Sequence, residues 1–225
     1  MIFHPILAGA RLWPRLVSVL GATIGIALTM VICLQFPIVS ADLPIIVAPI
    51  GASAVLVFAV PSSPLAQPWS VVGGNILSTL VGVMAAQYIP QTALAAGVAV
   101  GGAILVMSLC RCLHPPGGAA ALTAVIGSET IHAAGYAFAF APVGINSIAL
   151  VSIAMMFHRI SGHSYPHQPV TAPLPDLAAK SPIDMDDIDL ALADMDESFD
   201  ISREDLQQLL TQAEVHAMKR RTGTV

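Results

Sequence analysis

One histidine of the sequence lies beside a proline-rich break between two long apolar runs. His114 follows Arg111 and directly precedes Pro115 and Pro116, where a helix cannot continue. Because imidazole titrates near neutral pH, His114 could bind an anion or exchange a proton with it. It could equally cap the break by a hydrogen bond to a backbone carbonyl, and the sequence leaves both roles open. Arg111 would add positive charge at the entrance on this side.

Three further polar residues lie near the beginnings of other apolar runs. Asn75 and Asn146 could line a path, or they could satisfy backbone groups that a helix break leaves unpaired in lipid; we favour the second role. Ser53 would be an additional hydrogen-bond donor. Ala120 occupies the equivalent place in the second half of the chain, so a site built on Ser53 would be asymmetric.

Metal and enzyme chemistry are disfavoured. Cys110, Cys112 and His114 alternate in a way that puts them on one side of an extended stretch, but no fourth ligand is visible and Arg111 would repel a cation. The sequence contains no zinc-protease His-Glu-x-x-His and no hydrolase Gly-x-Ser-x-Gly. We therefore expect no metal, no cofactor and no enzymatic activity.

Charge is distributed unevenly along the chain. Of the 225 residues 56% are hydrophobic and 10% charged, and residues 1–160 contain only four arginines and two acids. Such a block has too little polar surface for water and belongs in lipid. Residues 161–225 hold twelve acids and five bases. The predicted organisation is a transmembrane domain at 1–160, a flexible Pro- and His-rich linker at 161–182 and an acidic helical cytoplasmic tail at 183–225.

The apolar runs predict an all-α membrane protein with about six spans. Spans 2 and 5 are short compared with the roughly 20 residues of a full crossing, and proline precedes both. They are either broken crossings or segments that re-enter on the same side. The predicted spans are 16–38, 45–60, 70–89, 92–110, 117–131 and 136–158.

The arginines favour six crossings. With six, Arg11, Arg15, Arg111 and Arg159 all fall on one side, as the positive-inside rule requires. If spans 2 and 5 only re-entered, Arg111 would lie on the opposite side. We therefore expect a multi-pass protein of the inner cell membrane with both termini in the cytoplasm.

Two short patterns occur once in each half of the membrane block. Pro-x-Gly-Ala-x-Ala begins at residues 49 and 116, and Gly-x-Asn ends at Asn75 and Asn146, with offsets of 67 and 71 residues. Chance is the alternative, since glycine and alanine are abundant. Duplication explains the conserved order better, and three spans per repeat makes the second repeat inverted, as in many transporters.

The two breaks suggest an anionic substrate. A helix that begins inside the membrane presents free N–H groups and partial positive charge, and glycine lets a ligand approach its backbone. Two such N-termini from opposite sides would favour a small anion. Close helix packing is the alternative explanation of the glycines. The candidate path residues are Gly51, Ala52, Ser53, Asn75, His114, Gly117, Gly118, Ala119 and Asn146.

The stretch Leu-His-Pro-Pro-Gly-Gly-Ala at 113–119 resembles the signature of the HPP family of integral membrane proteins. The flanking segments 48–53, 63–68 and 72–78 agree, and the resemblance covers about 15 to 160. It implies transport or channelling of a small inorganic anion, with nitrite as first candidate, because plant and cyanobacterial relatives are implicated in nitrite transport. The family is often described with four spans, which differs from six by spans 2 and 5.

The tail contains two predicted helices. One carries an apolar stripe from Met185 to Met195, and the other begins with a capping box at Ser202. The second resembles the segment that joins bacterial relatives to paired CBS domains, but no adenosine-ligand role follows for this chain. We expect a homo-oligomer with contributions from the tail helices, and no nucleic-acid partner. The alternative function is a membrane sensor or scaffold that signals through this tail without transport.

Overall fold

The computed structural model describes residues 12–35, 43–168, 184–195 and 200–222, and their regular secondary structure is helical. They form two compact units that divide between Pro166 and His167. The first unit contains α1 to α7 with a 3₁₀ turn at Pro64–Ala66 and a π-helical segment at Ala139–Gly144. The helices are α1 Leu12–Cys33, α2 Pro49–Ala59, α3 Pro68–Tyr88, α4 Thr92–Leu109, α5 Pro115–Ile126, α6 Glu129–Ala134, α7 Ile145–Ser161, α8 Met185–Met195 and α9 Arg203–Thr222.

Among the described residues, four helical stretches are long and apolar enough to cross a membrane: α1, α3, α4 and the run Ala139–Ser161 that ends in α7. By contrast, α2 and α5 have only 11 and 12 residues. At 1.5 Å per residue they measure roughly 16 to 18 Å, against a hydrocarbon core of about 30 Å. The predicted all-α membrane fold is confirmed, and so is the shortness of spans 2 and 5.

The packing of the helices supports the predicted duplication. Helix α1 packs against α2 and α7, and α4 packs in the same way against α5 and α3. Likewise, the contact of α2 with α7 is matched by that of α5 with α3. Exchanging α1 with α4, α2 with α5 and α3 with α7 therefore maps these contacts onto one another, as expected of two equivalent three-span repeats.

Three arginines lie at one end of this unit. The Nη1 of Arg15, near the beginning of α1, donates to the carbonyl of Ala59 at the end of α2 (3.0 Å). The Nε1 of Trp69, at the beginning of α3, donates to Cys110 O next to Arg111 (3.1 Å). Arg15 also lines a cavity together with residues at the end of α7, where Arg159 lies. This is the arrangement expected for six passes; Arg11 lies outside the described residues.

The predicted span 6 is interrupted. Continuous helix was expected over 136–158, but Ala141 has a non-helical backbone (φ −134°, ψ 111°). Pro142 explains the break because proline disfavours helical geometry at the preceding residue. Regular α-helix begins at Ile145 and continues to Ser161, where Gly162 ends it in the left-handed conformation.

The first part of the predicted linker packs against the membrane unit. Tyr165 is buried, and its hydroxyl donates to the carbonyl of Ala66 (2.9 Å). Burial raises the pKa of the Tyr165 phenol. The first unit thus extends to Pro166, beyond the predicted boundary at 160. The rest of the linker, at 169–182, falls outside the described ranges.

The second unit contains the two predicted tail helices. Helix α8 packs against α9 within the chain, with Ile188 and Val215 buried. The Oγ of Ser202 accepts a hydrogen bond from the backbone N–H of Asp205 (3.1 Å), which confirms the predicted N-terminal cap of α9. Asp205 also pairs with His167 (2.8 Å).

Candidate functional site

Four buried polar side chains meet inside the membrane unit. Ser53 of α2, Asn75 of α3, His114 at the N-cap of α5 and Ser147 in the first turn of α7 each have 0% exposure. We call these four residues the polar cluster. They come from both repeats, and two belong to the short helices α2 and α5. Because such groups are costly in an apolar interior, this is the first place to look for function.

His114 connects the break before α5 to the cluster. Its Nδ1 lies 2.8 Å from the carbonyl oxygen of Leu65 in the 3₁₀ turn. A carbonyl only accepts, so Nδ1 carries a proton, and the Nε2 of the neutral ring is an acceptor. Nε2 lies 2.8 Å from Ser53 Oγ. His114 thus bonds a backbone carbonyl, which is one of the two roles considered for it, and its Nε2 faces Ser53 in the cluster.

Ser53 has one proton and two places to donate it. Its Oγ lies 2.8 Å from His114 Nε2 and 3.2 Å from the carbonyl of Pro49, one turn earlier in α2. The same oxygen accepts from Asn75 Nδ2 at 3.2 Å. The hydroxyl can therefore rotate between two acceptors while it keeps the bond from Asn75.

Asn75 joins the two serines and keeps an unused acceptor. Its Nδ2 donates to Ser53 Oγ and to Ser147 Oγ (3.1 Å). Its Oδ1 is buried and has no hydrogen-bond partner, and the same holds for Ser78 Oγ one turn further along α3. An unsatisfied buried polar group costs about 1–3 kcal/mol. The vicinity of the cluster therefore has hydrogen-bonding capacity that the protein itself does not use.

Asn146, although equivalent in sequence to Asn75, lies outside the cluster. Its Oδ1 accepts from the N–H of Val47 (2.9 Å), and its Nδ2 donates to the carbonyl of Ile45 (2.9 Å) and to Cys33 Sγ (3.1 Å). These bonds hold the non-helical stretch before α2. Asn146 thus has the backbone-supporting role that the sequence analysis favoured for both asparagines.

The first turns of α2 and α5 offer few free backbone donors. Pro115 and Pro116 have no N–H, and Gly117 N donates to His114 O (2.8 Å). In α2, the N–H groups of Ile50 and Gly51 donate to carbonyls three residues earlier (3.0 Å each). Side chains rather than backbone N–H groups therefore provide most of the donors at this junction, and the helix dipoles add partial positive charge.

Gly117 serves helix packing. A Cβ at this position would lie 2.6 Å from Ser78 Oγ, and one at Gly74 would lie 2.6 Å from the Cβ of His114. These glycines let α3 approach the break before α5 closely enough for Asn75 and His114 to enter one cluster. Packing, the alternative explanation, thus accounts for Gly117.

The remaining candidate residues are not at the cluster. Gly51, Ala52 and Ala119 are exposed on the surface of the unit, and Gly118 is half-buried against α4. Arg111 is exposed at the arginine-bearing end, with a left-handed backbone (φ 53°). Within the part of the chain that the structure describes, no three His, Cys, Asp or Glu side chains are grouped to hold a metal ion.

Comparison with known proteins identifies the family. The sequence model of the transmembrane region of the HPP family matches residues 8–166 of this chain. The chain belongs to the HPP transmembrane family. The match includes α1 to α7 and the whole polar cluster, and the His-Pro-Pro segment of the resemblance is the one that supplies His114.

Two curated relatives are transmembrane proteins of Dictyostelium discoideum. One is 34% identical over 131 residues, which cover 56% of this chain and 46% of the relative. The other is 38% identical over 115 residues, covering 49% and 37%. The alignments thus span less than half the length of these relatives. No solved structure matches the chain significantly.

Proposed function

We propose that this membrane protein passes a small inorganic anion across the membrane, with nitrite as first candidate, and that the polar cluster lies on the path. The observation that carries the proposal is the buried group Ser53–Asn75–His114–Ser147 at the junction of two broken helices from opposite repeats. Discontinuous helices that meet at a repeat interface form the substrate sites of many secondary transporters.

The chemistry of the cluster suits a small monovalent anion. Two hydroxyls and the Nδ2 of Asn75 can turn donors towards acceptor oxygens, as nitrite presents. Protonation of His114 at Nε2 would add a fourth donor and a positive charge, which offers a route to coupling anion movement to a proton. Saturation of flux with nitrite would indicate a carrier, and linear flux a channel.

We propose that the protein lies in the inner cell membrane with both termini in the cytoplasm. It rests on the positions of Arg15, Arg111 and Arg159 at one end of the unit. We further propose a homo-oligomer to which α8 and α9 contribute. Cross-linking the full chain in native membranes tests this assembly.

The decisive experiment is nitrite flux into liposomes that contain the purified chain. The His114→Asn variant keeps a donor for Leu65 O but removes the nitrogen that faces Ser53. We expect wild-type flux well above that of empty vesicles, and about a tenfold or larger loss in His114→Asn, as for a charge-assisted bond of 1.5–3 kcal/mol. His132→Gln is the matched control, since His132 is exposed and bonds only a backbone carbonyl, that of Val125 (3.1 Å). The transport proposal fails if the wild type passes none of nitrite, nitrate, formate and chloride.

A sensor or scaffold is the second candidate function. It is favoured by the packing of α8 against α9 within a compact unit of their own. It predicts cytoplasmic proteins that bind residues 161–225, and vesicles with no anion flux. Flux without tail partners would exclude it.

A further inference from the structure

A cavity of about 160 Å³ opens at the arginine-bearing end of the membrane unit. It lies between the beginning of α1, the last turn of α2 and the end of α7. Its polar walls are formed by Arg15, Ser18, His158 and His163, and its apolar walls include Phe58 and Phe157. We propose that this cavity binds an oxyanion, either free in solution or as the phosphate of a lipid headgroup.

Arg15 brings a permanent charge with unused donors. One N–H of its guanidinium bonds the carbonyl of Ala59 (3.0 Å). A guanidinium has five N–H groups in a fixed fork that matches oxyanions. No carboxylate of the described residues pairs with Arg15. Arg15 therefore keeps N–H donors and a positive charge that no carboxylate of the described residues neutralises.

His158 adds a buried ring nitrogen without a protein partner. The residue is only 3% exposed, and its Nε2 lies 2.9 Å from the carbonyl of Val57, so Nε2 carries a proton. The other nitrogen, Nδ1, is buried and unpaired. His158 thus lines the cavity with a ring whose hydrogen-bonding capacity the protein only half uses.

Helix capping explains part of this arrangement. Val57 and Ala59 lie in the last turn of α2, and His158 and Arg15 satisfy their carbonyls. That role uses one donor of each residue. It does not account for the remaining guanidinium N–H groups, for the unpaired Nδ1 or for the space beside them.

The cavity has the size and surroundings for a small oxyanion with some water. A water molecule occupies about 30 Å³ in the liquid, so a cavity of about 160 Å³ has room for a small oxyanion with some water. Phe58 stacks on the ring of His158 with centroids 5.7 Å apart, and His163 lies 5.8 Å away on another side. The aromatic walls reduce the access of water to the cavity. They thereby strengthen the interaction of the positive charge of Arg15 with an anion. The inference is independent of the transport function.

The test measures binding to the full chain purified in detergent. One titration uses inorganic phosphate at constant ionic strength, and the other uses short-chain phosphatidylglycerol followed by native mass spectrometry. Arg15→Gln should weaken the binding of whichever probe saturates by about tenfold or more, the cost of a charge-assisted bond. Arg159→Gln is the matched control, since Arg159 is exposed at the same end and does not line the cavity; we expect less than about a twofold change for one exposed charge.

A second variant is needed because Arg15→Gln also removes the hydrogen bond to the carbonyl of Ala59 and could weaken binding by disturbing the fold. His163→Gln changes an exposed wall residue and should weaken binding severalfold. Saturation by phosphate alone identifies a free oxyanion as the ligand, and saturation by the lipid alone identifies a headgroup. The proposal is overturned if neither probe saturates the wild type, or if Arg15→Gln and Arg159→Gln weaken binding equally.

Discussion

Two equivalent asparagines, Asn75 in α3 and Asn146 in α7, make different hydrogen bonds near the two helix breaks of the membrane unit. Asn146 spends both polar atoms on the loose backbone before α2, at Ile45 and Val47. Asn75 bonds only side chains and leaves its Oδ1 unpaired. The break before α5 does not need Asn75 because other groups secure it. Cys112 N donates to Met107 O (2.9 Å), and His114 bonds Leu65 O.

Under the proposed function, only one of two equivalent positions contributes to the site. The break before α5 is stabilised by other bonds, which leaves the Oδ1 of Asn75 available for a ligand. The asymmetry also agrees with Ser53, which has an alanine as its counterpart. The predictions below aim at this contrast between the two halves, from the largest expected effect to the smallest.

Replacement of the two asparagines by alanine should affect stability very differently. Both changes remove the same atoms, but Asn146→Ala also leaves the N–H of Val47 and the carbonyl of Ile45 without partners. At about 1–3 kcal/mol for each of these two unsatisfied groups, Asn146→Ala should lower the free energy of unfolding by about 2–6 kcal/mol more than Asn75→Ala. Denaturant titration in detergent micelles measures both. Equal losses would mean that the two breaks depend on their asparagines to the same extent.

Replacement of Gly82 in α3 and of Gly51 in α2 by alanine should also affect stability differently. A Cβ at Gly82 of α3 would lie 2.3 Å from the carbonyl oxygen of Ala121 in α5, whereas one at Gly51 would meet nothing within 4 Å. Gly82→Ala should therefore cost about 1–3 kcal/mol through overpacking. Gly51→Ala should be neutral or stabilise α2 by up to about 1 kcal/mol.

The Gly51→Ala variant also tests whether Gly51 lines the anion path, as the sequence suggested. If a ligand must approach the backbone at Gly51, Gly51→Ala will reduce nitrite flux. We expect unchanged flux in vesicles, because Gly51 lies on the exposed surface, away from the polar cluster. A loss of flux in this stable variant would move the path from the cluster to the outer face of α2.

The smallest effect concerns the two serines of α7. Ser147→Ala removes a member of the cluster, and Ser152→Ala removes an exposed hydroxyl that bonds Ile148 O (2.8 Å). Each change should cost about 1 kcal/mol or less in stability, as for one hydrogen bond. Only Ser147→Ala should lower nitrite flux, by a severalfold factor. Equal flux in both variants would exclude Ser147 from the path.

The sequence was sufficient to predict most of the membrane fold. Apolar runs located the spans, and the runs at 45–60 and 117–131, each preceded by proline-containing sequence, were recognised as short. The ordered Pro-x-Gly-Ala and Gly-x-Asn patterns indicated two equivalent halves, and the packing of the helices agrees. These features are local, because composition and backbone chemistry determine them.

Details of the site depended on three-dimensional packing and escaped prediction. Ser147 has no polar counterpart, since Ile76 occupies the equivalent position, and only its neighbour Asn146 could have directed attention to it. The partner of His114 is the carbonyl of Leu65, 49 residues away. The sequence patterns could not show that Asn75 would bond only side chains while Asn146 would bond backbone groups. This depends on which backbone groups the fold leaves unpaired.

The most direct test compares nitrite flux through wild-type and Asn75→Ala protein in liposomes, normalised to the amount of folded chain. If the polar cluster carries the anion, the wild type will exceed empty vesicles and Asn75→Ala will lose about tenfold of that flux, as for a hydrogen bond to a charged group. Wild-type flux no greater than that of empty vesicles, or equal flux in the two proteins, would contradict this account.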